Sequence, residues 1–394
     1  MLKEAGKATR VSVFLHKLNL SLFRSYEALR LDFGTARYVV LTGANGAGKT
    51  NILEAISLLA PGKGLRGADL VTLKNQKAAD RDIWAVAAEG TGADGMALKI
   101  ATALDHRQKK RVVRINGKDA SAQTALAAHF SAVWLTPQMD RIFQEGLSAR
   151  RRFLDRLVYA RDMAHAGRLS RFEKNARARL KILQGFAPFD ERWLGVLEAA
   201  LAADSVAIAA ARLDLVDRLR SFAVAFGKQQ NLFPVPRLDL SGATEKALRD
   251  KPALGVEEEL QARFSQDRLA DRDSGRTQSG ALRCDFMVEY AAKNMPAALC
   301  STGEQKGLLL ALTLAHAQLI QSEQGRMPVL LFDEVAAHLD AARRDQLFDL
   351  LGGLQGQVFF TGTDADIFKT LLPQARFFDV RPGQAVTAPL LQAV

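Results

Sequence analysis

Cysteine is nearly absent from the 394 residues: only Cys284 and Cys300 occur. Two cannot build a disulfide framework, and both read as buried thiols in a reducing compartment. The six histidines (His16, His106, His129, His165, His316, His338) are scattered, and none shares zinc-ligand spacing with a cysteine, which argues against a structural zinc. No run of about 18 apolar residues is present, so no membrane span is expected. The opening MLKEAGKATR is polar and lacks the apolar stretch of a signal peptide.

What is present is an apolar content of 48%, enough for a sizeable core, and a net charge of +11. A basic balance favours polyanionic partners. The charge is unevenly spread: residues 150–181 hold eleven Lys/Arg against three Asp/Glu. Such a stretch is either a solvated helix face or an electrostatic footprint for DNA phosphates.

Along the chain, residues 11–33 read as two strands joined by the turn FRSYE, and YVVLT at 38–42 reads as a buried strand. A glycine-rich loop follows, then helical spacing over 51–60. Further strands are expected at 83–88, 97–104 and 111–115, the last entering a tight Asn116-Gly117 turn, with a short helix at 120–130 and a strand at 132–135. Residues 148–226 carry a helical pattern that includes one long helix from Asp190. Residues 229–278, with their Asp/Arg alternation, read as an irregular loop. Strand character returns at 282–290, 329–332 and 358–361, with helices after Ser301 and over 341–352. The simplest architecture is an α/β P-loop domain (1–145 and 282–394) interrupted by a mostly helical insertion (146–281), without a long coiled coil.

Gly43-Ala44-Asn45-Gly46-Ala47-Gly48-Lys49-Thr50 matches GxxxxGK[ST] between a strand and a helix, the context this phosphate-binding motif requires. Its backbone N–H groups can cradle phosphate oxygens; Lys49 should reach the β- and γ-phosphates of ATP, and the Thr50 hydroxyl should ligate Mg²⁺. The apolar run 329–332 ends in Asp333-Glu334. A strand end beside the loop would let Asp333 hold Mg²⁺ and Glu334 orient the attacking water. Ser301 and Gly303 open a helix and can offer a hydroxyl and an N–H to phosphate oxygens; Ser301 with Glu304 also fits a plain capping box.

The phosphate loop, then STGEQK (301–306), then the strand ending Asp-Glu together resemble the ABC ATPase head. With FRSY (23–26), RINGK (114–118) and RRRFLDR (150–156), nearly the whole chain resembles the RecF family of that class. The resemblance implies that Ser301, Gly303 and Gln305 contact ATP held by a second copy, that Asp340 lies at the dimer contact, and that Gln138 senses Mg²⁺ or the γ-phosphate. Arg24 and Arg66 fall where related heads place basic groups for nucleotide or DNA, though each also reads as a surface arginine. Related ATPases often place a histidine after the strand at 358–361; here Thr361 or Thr363 stands instead, consistent with slow hydrolysis.

The resemblance further implies a cytoplasmic, nucleoid-associated, ATP-induced homodimer with weak DNA-stimulated ATPase activity. It would bind double-stranded DNA or single/double-strand junctions in recombinational repair and act with RecR and RecO to load RecA. Candidate DNA contacts are Lys109, Lys110, Arg111, Arg150, Arg151, Arg152, Arg171, Lys174 and Arg177. The first trio also reads as a charge-protected hairpin edge. The aromatic residues form no clear base-stacking row, which favours duplex backbone contacts. The alternatives are an ABC-type ATPase subunit of a transporter, against which the irregular basic insert and the near-full-length resemblance count, or another SMC-like DNA clamp.

Overall fold

The computed structural model describes residues 12–105, 110–229 and 232–387. They form two compact units, Met1–Met139 with His316–Val394, and Asp140–Ala315. The insertion expected from the sequence ran from 146 to 281; the second unit runs wider on both sides.

In chain order the first unit opens with β1 (Phe14–Phe23), β2 (Tyr26–Asp32), β3 (Tyr38–Thr42), α1 (Lys49–Ser57), β4 (Ala85–Thr91), β5 (Ala97–Asp105), β6 (Lys110–Ile115), β7 (Lys118–Asp119) and β8 (Ala132–Leu135). The second unit contributes α2 (Leu147–Tyr159), α3 (Ala164–Leu183), α4 (Glu191–Gln229), β9 (Pro236–Ser241), α5 (Ala243–Asp250), α6 (Ala253–Gln266), α7 (Arg268–Ser274), β10 (Asp285–Tyr290) and β11 (Met295–Pro296). After α8 (Thr302–Gln324) come β12 (Val329–Phe332), α9 (Ala341–Gly352), β13 (Val358–Gly362), β14 (Ala375–Arg381) and β15 (Gln384–Thr387).

The central sheet of the first unit has the order β15-β14-β3-β13-β12-β8, parallel except for β15. Strands buried on both faces read as continuous apolar runs, as YVVLT, VLLF and VFFTG do, and every residue of these three is buried. A second, antiparallel sheet of order β2-β1-β4-β5-β6-β7 belongs to the same unit. Gln357 ties the two sheets. Its side-chain Oε1 accepts from the Leu15 N–H at 2.8 Å, and its Nε2 donates to the carbonyls of Leu15 and Ala36 at 2.9 and 3.1 Å. The expected Asn116-Gly117 turn is present, with φ of 48° and 81°. The helix expected at 120–130 is a short 3₁₀ turn, Gln123–Ala128.

The stretch 229–278 departs from the expected loop. It holds β9, which pairs with β10, and helices α5, α6 and α7. The physical reason is that its charges are internal partners. Arg179, with no exposed surface, donates to Glu198 Oε1 (2.9 Å), Asp271 Oδ2 (2.6 Å) and the Phe264 carbonyl (2.5 Å). The same α3–α4–α6 packing encloses Phe172, Leu201, Ile208 and Phe264. By length and composition alone, the α4 segment Glu191–Ala225 is apolar enough to cross a membrane, with a best-window mean hydropathy of 1.7. It carries the buried charges Asp204 and Arg212, though, and Arg212 binds Asp155, so it reads as the core helix of the second unit.

Arg179→Ala leaves Glu198 and Asp271 short of a buried cation, a loss of about 3–5 kcal/mol. Urea unfolding followed by circular dichroism should show a markedly lower midpoint for this variant.

Candidate nucleotide site

The site lies at the carboxyl ends of β3, β12 and β13, where parallel α/β sheets place ligands. The chain leaves β3 at Thr42, turns through the glycine-rich loop and enters α1 at Lys49. Gly48 has φ of 110°, and a Cβ there would stand 2.5 Å from the Tyr26 hydroxyl, so only glycine fits. That hydroxyl is buried without a hydrogen-bond partner, and burial pushes its pKa up.

Lys49 is 4% exposed, and its Nζ donates to the carbonyls of Gly43 (2.7 Å) and Ala44 (3.0 Å). Burial lowers its pKa, while the nearby charges of Glu334 and Asp333 act in the opposite direction. Thr50 Oγ1 donates toward both oxygens of Asp333, at 3.0 Å each. From β13, the fully buried Thr361 donates its hydroxyl to Asp333 Oδ1 at 2.7 Å and accepts the Glu334 N–H at 2.9 Å. Thr363, the other threonine weighed from the sequence, is exposed. Glu334 itself has φ of 56°, a left-handed backbone uncommon outside glycine. Burial raises the pKa of Asp333; the Thr361 and Thr50 hydroxyls pull it down, Glu334 pushes it up, and Arg66 pulls it down.

A hydroxyl and a carboxylate facing one another are the hard oxygen donors that Mg²⁺ takes, and it usually completes its octahedron with water and substrate phosphates. Thr50 and Asp333 fit that role. Among the described residues, no group of three or more His, Cys, Asp or Glu could hold a metal ion by itself.

Arg24 and Arg66 meet on a residue the sequence reading passed over. Glu54 of α1, 1% exposed, accepts from Arg24 Nε and NH2 at 2.8 Å each and from Arg66 NH1 at 3.0 Å. Arg66 also donates to Asn51 Oδ1 at 2.9 Å, and Asn51 donates to Ser25 Oγ. A lone carboxylate inside the apolar run NILEAISLLA was the available signal. Gln138 is exposed, in the 3₁₀ turn Pro137–Arg141 that follows β8, at the same sheet end as Asp333.

Ser301 and Glu304 form the capping box: the Ser301 N–H donates to Glu304 Oε2 (2.9 Å), and the Glu304 N–H donates to Ser301 Oγ (3.3 Å). Ser301 and Gly303 are exposed, whereas Gln305 is 2% exposed and its Nε2 donates to the carbonyls of Cys300 and Ala298. Gln305 therefore braces the turn before α8 and, in this state, does not present its amide outward. Asp340 is exposed and caps α9 by accepting the Arg343 N–H at 2.9 Å.

The DNA candidates divide. Arg111 is committed inward: its guanidinium reaches Thr102, Gln123 and the carbonyls of Leu58, Ala60 and Gly62 after α1. Arg150 is paired bidentately with Asp285, and Arg151 donates to the Cys284 carbonyl. These three departures share one cause, since a guanidinium near an unsatisfied carbonyl or carboxylate binds it. Lys110, Arg152, Arg171, Lys174 and Arg177 are exposed, with Arg171 paired to Asp204. Lys109 lies outside the described residues.

Sheet order, phosphate loop and adjoining Asp-Glu define an ATPase head of the ABC/SMC class. The chain belongs to the RecF/RecN/SMC N terminal domain family, matched over residues 14–384, and within it to the RecF proteins. It is 43% identical to the DNA replication and repair protein RecF of Rhizobium rhizogenes over 373 residues, covering 94% of this chain and 98% of that one. Identity to the RecF of Brucella suis is also 43%, over 94% of this chain and 96% of the relative. Among solved structures, the recombination mediator RecF with ATP superposes with a TM-score of 0.83 at 23% identity, covering 98% and 100% of the two chains. An Smc head domain from Pyrococcus furiosus superposes at 0.51 with 18% identity, covering 96% and 97%. Family membership sets aside the transporter alternative.

Asp333→Asn removes the like-charge conflict with Glu334. The nucleotide-free variant should melt above the wild type in calorimetry, while its Mg²⁺-dependent phosphate release should fall to background.

Proposed function

We propose that this chain is an ATP-dependent DNA-binding protein of recombinational repair, closed into a homodimer by ATP. The observation that carries the reading is the convergence of Lys49 and Thr50 with Asp333, Glu334 and Thr361 at one sheet end. RecF structures holding ATP or ATPrS share the fold and support it.

On binding, Lys49 would leave the loop carbonyls for the β- and γ-phosphates. Thr50 and Asp333 would hold Mg²⁺, which supplies charge neutralisation on the phosphate oxygens. Glu334 would orient the attacking water, with its backbone fixed by Thr361. Gln138 would report on the γ-phosphate. Ser301 and Gly303 of a second copy would grip that phosphate, with Asp340 at the contact and Gln305 holding the turn in shape. ADP lacks the group that the opposing helix grips, so slow hydrolysis loosens the pair.

The polyanion partner is double-stranded DNA or a single/double-strand junction, contacted by exposed cations such as Lys110, Arg152, Lys174 and Arg177. Such binding is salt-sensitive and largely sequence-independent. RecR and RecO are the protein partners the family implies, with RecA loading as the outcome and the cytoplasm as the compartment.

Glu334→Gln should remain dimeric in ATP by sedimentation velocity, where the wild type returns to monomer as ATP is consumed. A variant that stays monomeric in saturating ATP would overturn the model. Arg152→Glu with Lys174→Glu should weaken duplex binding at least 10-fold while leaving ATP affinity unchanged; equal duplex affinity would remove both residues from the footprint.

A further inference from the structure

The turn between α3 and α4, together with the first turn of α4, carries three aromatic rings in eight residues. Phe186 is 77% exposed, Phe189 69% and Trp193 50%. Beneath them Ile182, Leu194 and Leu197 are buried, so the turn stands on a packed base.

Its backbone is fixed at both ends. Gly185, at φ 78°, ends α3: its N–H donates to the Ile182 carbonyl (3.1 Å), and the Phe186 N–H donates to the Lys181 carbonyl (2.8 Å). That is a Schellman motif, in which the residue at the Phe186 position commonly packs inward. At the other end Asp190 caps α4, its Oδ1 accepting the Trp193 N–H at 3.0 Å. Phe189 precedes that cap, where an apolar side chain often staples onto the helix. Both positions normally tuck an apolar group away, and here both hold a ring out into solvent. Rings held out on a rigid turn form a surface that only an occupant can cover.

Charge selects the occupant. Lys174 and Lys181 lie two turns apart on α3 and Arg192 lies on α4; all three are exposed, and none makes an ion pair among the described residues. The neighbouring carboxylates are engaged, Asp190 as the cap and Glu191 with Arg268 at 2.7 Å. Flat apolar faces beside unneutralised cations suit unpaired bases on a phosphate backbone. Bases stacked within a duplex offer no free face to such rings; the expectation that the aromatic residues form no stacking row is thus corrected at 186, 189 and 193, where three exposed rings lie within eight residues.

We propose that Phe186, Phe189 and Trp193 form a stacking platform for single-stranded nucleic acid, with Lys181 and Arg192 holding its phosphates. The inference rests on the DNA-binding reading above and specifies the single-stranded part of its ligand.

The platform contains its own reporter, because Trp84 and Trp134 are 0% and 9% exposed, leaving Trp193 as the accessible indole. A 20-nucleotide thymidine oligomer should quench tryptophan emission of the full chain, and added salt should reverse it. An abasic oligomer of equal length should bind at least 10-fold more weakly. Trp193→Phe should abolish the quench and keep affinity within about 3-fold. Replacing all three rings with serine should weaken the thymidine oligomer at least 10-fold, since one stacked base is worth about 5- to 150-fold. Circular dichroism on the same samples confirms folding.

Equal binding of thymidine and abasic oligomers would overturn the platform. So would wild-type affinity in the triple variant, or a triple variant whose only loss is self-association, which would mark a protein-docking surface. ATP-dependent duplex binding is measured in parallel. Duplex binding without oligomer binding sinks this inference alone, and loss of both sinks the DNA reading as well.

Discussion

A carboxylate buried in a dry place needs donors, and Asp333 has two hydroxyls: Thr50 from the phosphate-loop helix and Thr361 from the adjacent strand. Thr361 also accepts the Glu334 N–H, so one buried oxygen sets the position of one acid and the backbone of the next. The strand order makes this possible. With β13 between β3 and β12, the loop lysine, the two acids and the threonine all arrive at one edge. Burial disfavours the charge on both Lys49 and Asp333. A site that holds charges at this cost is arranged for a charged ligand to meet them.

The second tier is Glu54. One buried carboxylate on α1 engages two arginines that sequence position alone had left between nucleotide contact, DNA contact and plain surface. Both guanidiniums are thereby held against the helix that begins at the phosphate loop.

The most legible parts of the sequence were those in which local pattern and tertiary role coincide. YVVLT followed by GANGAGKT can only be a buried strand and a phosphate loop, and VLLFDE ends as such strands do. Legibility failed where polar residues are partnered inside. The Asp/Arg-rich stretch before Gln278 reads as an irregular loop, yet it is helical there and Asp271 is buried against Arg179. Arg111 looked like an edge cation and instead gathers the carbonyls after α1. Arg150 and Arg151 are likewise turned toward Asp285 and Cys284. Linear charge counts do not reveal which guanidinium has a neighbour, because that neighbour is up to 135 residues away. Gln305 belongs with these, its type fitting an outward contact and its burial showing an internal one.

Gln357 has a mechanical consequence. Two buried hydrogen bonds between the Gln357 amide and the Leu15 backbone fasten β1 to the start of β13 in the parallel sheet, and a third runs from the same amide to the Ala36 carbonyl ahead of β3. Sliding one sheet across the other by a single residue would break both bonds to Leu15 at once. The first strand of one sheet and the start of a central strand of the other are therefore pinned in register at this point.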